Sequence, residues 1–202
     1  MNLLRRFLAK HRKLLVTSFR WVSYCLLFGG LLAAGYAVYV IADAQTYQAI
    51  HLREFRDYAP SVEQHRPEIG EQVGEIEIPR LALRAVILQG ESPQVLRRGV
   101  GHLPQTPMPG ERGNIGLAGH RDSFFRPLRQ IRYGDIIILH TFKGRFEYRA
   151  ESIRTVSRMN VDVLGPSDKR ELTLVTCFPF NYVGSAPDRF IVRALQVSEN
   201  GK

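Results

Sequence analysis

The residue best suited to covalent chemistry is Cys177, one of two cysteines in the chain and the only one outside an apolar N-terminal stretch. It ends an alternating run, Leu172–Cys177, and the proline of Phe178–Phe180 prevents that run from continuing as a regular inner strand. Alternation puts Cys177 on one face with Thr173 and Val175. Such a thiol can attack a carbonyl carbon, and an inert core cysteine is the alternative.

A thiol nucleophile needs a proton partner, because a free thiol with a pKa of about 8.5 is mostly protonated at neutral pH. Five histidines follow the apolar stretch: His51, His65, His102, His120 and His140. The first two lie in a polar segment, and the last ends an apolar run, where a surface or structural role is expected. His102 and His120 lie in glycine-containing loops, and His120 directly follows a strand-like run. Spacing alone does not show which of His102 and His120 is the proton partner.

A third candidate is the cation Arg189, which opens the final strand-like run. Acyl transfer develops negative charge on the attacked carbonyl oxygen, and a fixed guanidinium stabilises that charge through hydrogen bonds. Eleven residues separate Arg189 from Cys177, and they include Pro179, Gly184 and Pro187. Such a loop can bring two neighbouring strand ends together. Many other arginines are present, so the local sequence does not single out this one.

The 202 residues suit one compact domain with an appendage. The formal charge is +9, but six of the 28 basic residues lie within residues 1–20, which contain no acid. Residues 21–202 therefore carry 22 basic and 19 acidic residues, a net +3, and nucleic-acid binding is not indicated. Two dissimilar, distant cysteines exclude a disulfide framework and a clustered-cysteine zinc site. We expect neither a cofactor nor a metal, since the acids show no ligand spacing.

Residues 21–42 form an uncharged run of 22 residues. As a helix it rises about 33 Å, enough to cross a hydrocarbon core of about 30 Å. The basic residues before it and Asp43 after it place residues 1–20 in the cytoplasm and the main body outside, by the positive-inside rule. The sequence favours an uncleaved anchor. A cleaved signal peptide is the alternative, because Ala42–Ala44 has the small-x-small form of a processing site.

The exported part is predicted to contain a juxtamembrane stalk, residues 43–72, a strand-rich body, residues 73–197, and a short tail, residues 198–202. Short apolar or alternating runs between Gly and Pro predict seven strands. These are Val73–Ile78, Leu83–Leu88, Asn114–Ala118, Ile136–His140, Arg145–Thr155, Leu172–Cys177 and Phe190–Val197. A short helix is predicted at Gln94–Arg98. With no long amphipathic helix in the body, the pattern predicts an all-β barrel or sandwich.

Three segments together resemble the sortase family. They are Asn114–Arg121 (NIGLAGHR), Leu172–Phe180 (LTLVTCFPF) and Tyr182–Ala194 (YVGSAPDRFIVRA). The run TLVTC matches the family's TLxTC motif, Arg189 matches its arginine on the following strand, and His120 matches its histidine. The resemblance covers roughly residues 73–197. The N-terminal anchor and the long loop between Cys177 and Arg189 are most similar to class D sortases. Phe178 departs from the tyrosine that many relatives have there.

The resemblance implies a closed eight-stranded β-barrel and a membrane-anchored cysteine transpeptidase. Cys177 would attack the Thr carbonyl of an LPxT-type sorting motif and form a thioacyl enzyme. His120 would protonate the leaving amine and deprotonate the incoming one, and Arg189 would hold the oxyanion. The resemblance also suggests substrate contacts for Thr176 and for a loop between late strands. The loop residues are Val161, Val163 and Leu164, for which ordinary loop packing is an equal alternative.

The implied partners are exported proteins with a C-terminal LPxT-type motif and an amine acceptor on a cell-wall precursor or another surface protein. The implied location is the bacterial cell membrane, crossed once, with the catalytic domain outside. Two other functions are considered. A thiol peptidase would use the same residues and let water resolve the thioester. A non-catalytic surface-binding β-domain would leave the set of Cys177, His120 and Arg189 unexplained.

Overall fold

The computed structural model describes residues 2–57, 66–160 and 162–200. The chain divides into two compact units, Met1–Asp43 and Ala44–Lys202. The α-helices are α1, Asn2–Asp57, and α2, Pro93–Arg98, and short 3-10 turns span Pro79–Leu81, Arg126–Gln130 and Asp162–Leu164. The strands are β1 Gln72–Ile78, β2 Leu83–Gln89, β3 Val100–His102, β4 Gly113–Ala118, β5 Ile136–Thr141, β6 Gly144–Ser157, β7 Arg170–Phe178 and β8 Asp188–Asn200.

Helix α1 contains a segment, Phe19–Ile50, that is long and apolar enough to cross a membrane. None of the most apolar part of this segment is buried against protein. The predicted span of residues 21–42 lies within this segment. Large apolar side chains such as Leu26, Phe28 and Leu31 are exposed along it. Within the described residues it is the one helix with this character.

The eight strands found in the described residues close into a barrel in the order β1-β2-β3-β4-β7-β8-β6-β5. This confirms the expected all-β, eight-stranded barrel preceded by an apolar helix. Most neighbours are antiparallel, but β2 pairs with β3 and β4 pairs with β7 in parallel. Pattern reading missed β3. That strand has only three residues and contains Gly101, where a Cβ would lie 2.3 Å from the Gly90 carbonyl oxygen.

The barrel interior is filled by alternate residues of each strand. Three adjacent strands, β4, β7 and β8, contribute six side chains to the main core: Ile115, Leu117, Leu172, Leu174, Val192 and Ala194. Because successive strand residues point to opposite faces, the residues between them face the outside of the barrel. Cys177 is three positions beyond Leu174. It therefore belongs to the outer face of β7.

The last part of α1 packs on the outside of β2, within the second compact unit. Tyr47 and Leu52 contact a small apolar cluster formed by Val86, Leu88 and Val95. The side chain of Gln48 accepts a hydrogen bond from the backbone N–H of Val86 at 2.9 Å and donates one to the carbonyl of Arg98 at 2.5 Å. The beginning of the predicted stalk is thus helical and joined to a strand. The division at residues 72 and 73 stays a prediction.

Candidate active site

Cys177 and Arg189 face each other across the antiparallel pair β7 and β8, where their Cα atoms are direct register partners. Side chains at such positions leave the same face of a sheet with Cβ atoms about 4.5–5.5 Å apart. Both residues are partly exposed. The loop of eleven residues between them therefore returns the chain so that Arg189 stands directly opposite Cys177 on the neighbouring strand. This is the arrangement that the loop length suggested.

His120 is placed by the parallel pair β4 and β7. The register ends at Ala118 opposite Val175, and the backbone N–H of Gly119 continues it by donating to the Val175 carbonyl at 3.1 Å. One residue further, His120 lies at the level of Cys177. Because parallel strands run in the same direction, both residues leave their strands at the same rim of the barrel. His120 is partly exposed, which its expected role in proton exchange with substrate would require.

Two contacts fix the backbone immediately before His120. The hydroxyl of Thr176, which is 2% exposed, donates to the Gly119 carbonyl at 2.7 Å. Gly119 packs against the buried ring of Phe125, and a Cβ there would lie 2.7 Å from that ring. The carbonyl of His120 then accepts a 3.0 Å hydrogen bond from the N–H of Phe125. The turn that carries the imidazole is therefore held from both sides.

Thr176 lies on the core-facing side of β7, opposite to Cys177. Its hydroxyl is already bonded to Gly119, and its side chain is buried. The family resemblance suggested a substrate contact for Thr176. In the structure its side chain contacts the segment that leads to His120, and the substrate contact stays a prediction.

His102, the other candidate histidine, is fully buried. Its register partner on β4 is Leu117, three residues before His120. Its Nδ1 lies 2.7 Å from Gln89 Oε1, and its Nε2 lies 2.9 Å from the Pro107 carbonyl oxygen. Burial lowers the pKa of His102, although the Pro107 hydrogen bond opposes that effect. A buried ring with both nitrogens engaged is a structural histidine. The topology thus distinguishes between two residues that spacing could not rank.

The outer face of β4, β7 and β8 extends from Cys177 toward the loop that follows β6. In the row next to Cys177 and Arg189 lie Ala118, Val175 and Ile191, which are register neighbours on these strands, and Ile191 is buried. In the row beyond, Gly116 lies beside Thr173. A Cβ at Gly116 would approach the side chains of Leu103, Thr106 and Leu164 within 3.1 Å. These three side chains therefore cover the far end of this face.

The predicted substrate loop lies at that far end. Val163 is buried, and its carbonyl accepts hydrogen bonds from Asn114 Nδ2 at 3.0 Å and Arg193 Nη2 at 3.2 Å. Leu164 is partly exposed and lies beside Gly116. Val161 lies outside the described residues. Of the three residues, Leu164 is therefore the one whose side chain is both described and partly exposed.

The loop between β7 and β8 is held by two arginines. Arg121 Nη2 donates to the carbonyls of Tyr182 at 2.6 Å and Gly184 at 3.1 Å, and the guanidinium lies 6.0 Å from the Tyr182 ring centroid. Arg189 Nη1 donates to the carbonyls of Asp188 at 2.9 Å and Ala186 at 3.3 Å. Sequence reasoning missed Arg121. The only signal was its position directly after His120, which carries no information about a loop 61 residues further along the chain.

One group of possible metal ligands occurs among the described residues, formed by Glu75, Glu77 and His140. Glu75 and His140 are register partners on β1 and β5, and His140 Nε2 lies 3.3 Å from Glu77 Oε2. Glu75 is also ion-paired with Arg84. In the barrel order β1 is four strands from β7 in either direction, so this group is remote from Cys177.

Comparison with known proteins agrees with this geometry. A family model described as the sortase domain matches residues 76–197. The chain is 31% identical over 190 residues to Sortase D of Bacillus subtilis, covering 86% of this chain and 96% of that protein. It is also 39% identical over 131 residues to Sortase SrtE1 of Streptomyces coelicolor, covering 55% of this chain and 37% of that protein.

Solved structures give the same result. The Clostridium perfringens Sortase D5 transpeptidase superposes with a TM-score of 0.66 at 27% identity, covering 78% of this chain and 99% of that one. Streptococcus agalactiae Sortase C1 superposes with a TM-score of 0.60 at 28% identity, covering 63% of this chain and 68% of that one.

The fold and the family match together define a cysteine transpeptidase that acts on peptide bonds. The chain belongs to the sortase family. Sortases act on surface proteins that carry sorting motifs and on amine acceptors, and the apolar N-terminal helix is consistent with the membrane anchoring of such enzymes.

Proposed function

We propose that this enzyme cleaves an LPxT-type sorting motif through a thioacyl intermediate on Cys177 and transfers the substrate protein to an amine on the cell envelope or on another surface protein. The observation that carries the proposal is the register of β7 and β8, which puts Arg189 directly opposite Cys177. The parallel register of β4 and β7 supports it, because His120 reaches the same level.

Before the first step, the proton of the Cys177 thiol passes to His120. The resulting thiolate attacks the carbonyl carbon of the motif threonine, and a C–S bond forms. The electron pair of the carbonyl moves to its oxygen, and Arg189 stabilises that oxyanion through charge-assisted hydrogen bonds. As the oxyanion collapses, the scissile C–N bond breaks. His120 donates a proton to the departing amine, which leaves as a neutral group.

In the second step, an amine attacks the thioester carbonyl and loses a proton to His120. A new C–N bond forms, the C–S bond breaks, and the Cys177 thiolate is regenerated. The substrate protein is then joined to its acceptor by an amide bond. The peptide bond that is broken and the amide bond that is made are chemically alike, so the exchange needs no cofactor.

We propose that an extended peptide binds on the outer face of the barrel, from Cys177 to Leu164. Apolar side chains of the motif would pack on Ala118 and Val175, which lie next to Cys177 on that face. We assign Leu164 to the far end of this peptide site. Val163 contributes through its carbonyl, which holds Asn114 and Arg193 in place.

The proposed catalytic domain is residues 73–197. It is attached through residues 43–72 to an anchor at residues 21–42, with the basic tail in the cytoplasm.

Membrane attachment supports the proposed partners. An exported substrate that is still near the bilayer and an anchored enzyme share a thin layer, so their effective concentration is high. The proposed substrates are therefore exported proteins that carry the motif near their C-terminus. The acceptor amine belongs to a cell-wall precursor or to a second surface protein.

The test uses a library of LPxT-type peptides with the purified protein, with and without added amines. We expect a thioester adduct on Cys177 by mass spectrometry and an amide product that depends on the amine. Hydrolysis at the same rate with every amine would instead identify a thiol peptidase. If no peptide in the library acylates the wild-type protein, the proposal is wrong.

A further inference from the structure

The loop between Cys177 and Arg189 is long enough to need its own support. Residues 179–187 form no strand, and residues 181–185 are all exposed. Val183 at its centre is 96% exposed, and Gly184 has a positive φ of 95°. Within the loop, one backbone hydrogen bond joins the Tyr182 N–H to the Pro179 carbonyl at 3.3 Å. Both ends of the loop are anchored, because Phe180 packs on Phe190, Ala186 is buried, and the Pro187 carbonyl accepts a hydrogen bond from the Arg158 N–H at 3.2 Å. The exposed middle, residues 181–185, opens easily unless a contact from outside the loop holds it.

Arg121 supplies that external support from the turn that carries His120. It bonds two loop carbonyls, those of Tyr182 and Gly184, and its guanidinium contacts the Tyr182 ring. Charge-assisted hydrogen bonds of this kind are among the strongest in proteins, and a planar guanidinium can serve two acceptors at once.

Arg121 and Arg189 bond different parts of the loop. Arg121 bonds the carbonyls of residues 182 and 184, and Arg189 bonds those of residues 186 and 188. Four alternate carbonyls of one short segment are therefore fixed by guanidinium groups. The Arg189 side chain takes its orientation from a loop whose other half is attached to Arg121.

Deepening the proposed function above, we propose that Arg121 is a positioning residue that connects the His120 turn to Arg189 through the loop between β7 and β8. Arg121 itself touches neither the thiol nor the scissile bond. It keeps the loop in the arrangement in which the Ala186 and Asp188 carbonyls hold the Arg189 guanidinium, on the strand position opposite Cys177. Without Arg121, Arg189 loses its fixed direction, and stabilisation of the oxyanion weakens.

The experiment compares Arg121→Ala and Arg121→Lys with Arg126→Ala, a matched control at an exposed arginine five residues further on. Acylation of Cys177 is followed with an LPxT-type peptide. We expect kcat of Arg121→Ala to fall about tenfold with little change in KM, because the interaction acts mainly in the transition state. Arg121→Lys should recover part of the loss, because an ammonium can reach one carbonyl. Arg126→Ala should match the wild type.

A double-mutant cycle separates positioning from general support of the fold. If Arg121 acts through Arg189, adding Arg121→Ala to Arg189→Ala should cost almost nothing more in kcat. Additive losses would overturn the proposal. So would a kcat of Arg121→Ala equal to that of the wild type at a temperature where both are folded.

A second readout does not depend on activity. Chymotrypsin cleaves after exposed aromatic residues, and Tyr182 lies in the loop. We expect faster cleavage there in Arg121→Ala than in Arg126→Ala, with equal rates overturning the proposal. If wild-type protein forms no thioester with any LPxT-type peptide, the proposed function fails, and the proteolysis result still decides whether Arg121 holds the loop.

Discussion

Cys177 and Arg189 are direct cross-strand partners on the outer face of the barrel, although eleven residues separate them in the chain. The distance between their Cα atoms is therefore set by the spacing of two hydrogen-bonded strands. Strands in the middle of a closed barrel move little, so the backbone positions that carry the thiol and the guanidinium are fixed opposite each other before any substrate binds. Preorganised charge of this kind is a large contributor to enzymatic rate acceleration.

The first prediction concerns this pair. Arg189→Ala should lower kcat/KM for acylation by roughly 10²–10³-fold, the usual cost of losing one oxyanion donor. Arg149→Ala is the control. Arg149 lies on the outer face of neighbouring β6 but faces Leu195, which is six residues from Arg189 along β8. Steady-state kinetics with one peptide measure both. Full activity of Arg189→Ala would remove that residue from the mechanism.

The second prediction concerns the nucleophile and its proton partner. Cys177→Ala should form no thioacyl adduct, as judged by mass spectrometry of the intact protein. His120→Ala should slow turnover by about 10²–10⁴-fold, the range for loss of a general acid–base group. His140→Ala should keep its activity, because His140 lies on β5 and contacts Glu77. An adduct on the Cys177→Ala protein would defeat the first part.

The third prediction separates two roles for Thr176. Thr176→Val keeps the shape of the side chain but removes the hydrogen bond to Gly119, so stability should fall by about 1 kcal/mol. Because that bond fixes the backbone before His120, kcat should also fall, and KM should stay near the wild-type value. Thr176→Ser should keep the wild-type stability and the wild-type kcat. A rise in KM with unchanged kcat would instead support direct contact with substrate.

How much of the fold and of the candidate site could be predicted depends on whether each feature is set by neighbouring residues in the chain or by distant ones. The long strands follow from alternation, and Leu172 and Leu174 do fill the core while Cys177 lies on the opposite face. β3 could not be found, because three residues including a glycine carry no period. The choice between His102 and His120 required the pairing of β4 with β7, which joins residues almost 60 positions apart. Likewise, nothing near Arg121 in the chain indicates its contact with Gly184.

The fourth prediction follows from the buried imidazole of His102. Its folded pKa lies below the ordinary 6.5 because of burial. Above pH 6.5 both the folded and the unfolded chain carry it neutral, so it adds no pH dependence. Below pH 6.5 the unfolded chain takes up a proton that the folded chain excludes, so the free energy of unfolding falls until the folded pKa is reached.

Urea denaturation at pH 7.5 and 5.5 measures this effect. The wild type should lose stability on acidification. His102→Asn should be less stable at both pH values but lose less between them, while His140→Asn should follow the wild type. An equal loss in wild type and His102→Asn would show that other groups cause the pH dependence.

The fifth prediction concerns the helical segment that packs on β2. Gln48→Ala leaves the buried N–H of Val86 without its partner, which should cost about 1–3 kcal/mol. Gln45→Ala is the control, because Gln45 is exposed on the same helix. Thermal denaturation of the two variants in detergent gives the comparison. Equal melting temperatures would show that this contact adds nothing to stability.

Strands β4 and β7 pair in parallel although β5 and β6 lie between them in the chain, so His120 and Cys177 come from two separate segments. The tight connection around Lys143, between β5 and β6, lies between those segments, and exposed loop tips of this kind tolerate a break in the chain. Cutting there would give one piece that carries the imidazole and another that carries both the sulfur and the guanidinium. Neither piece could acylate alone, so restored turnover on mixing would report directly that the two pieces had reassembled.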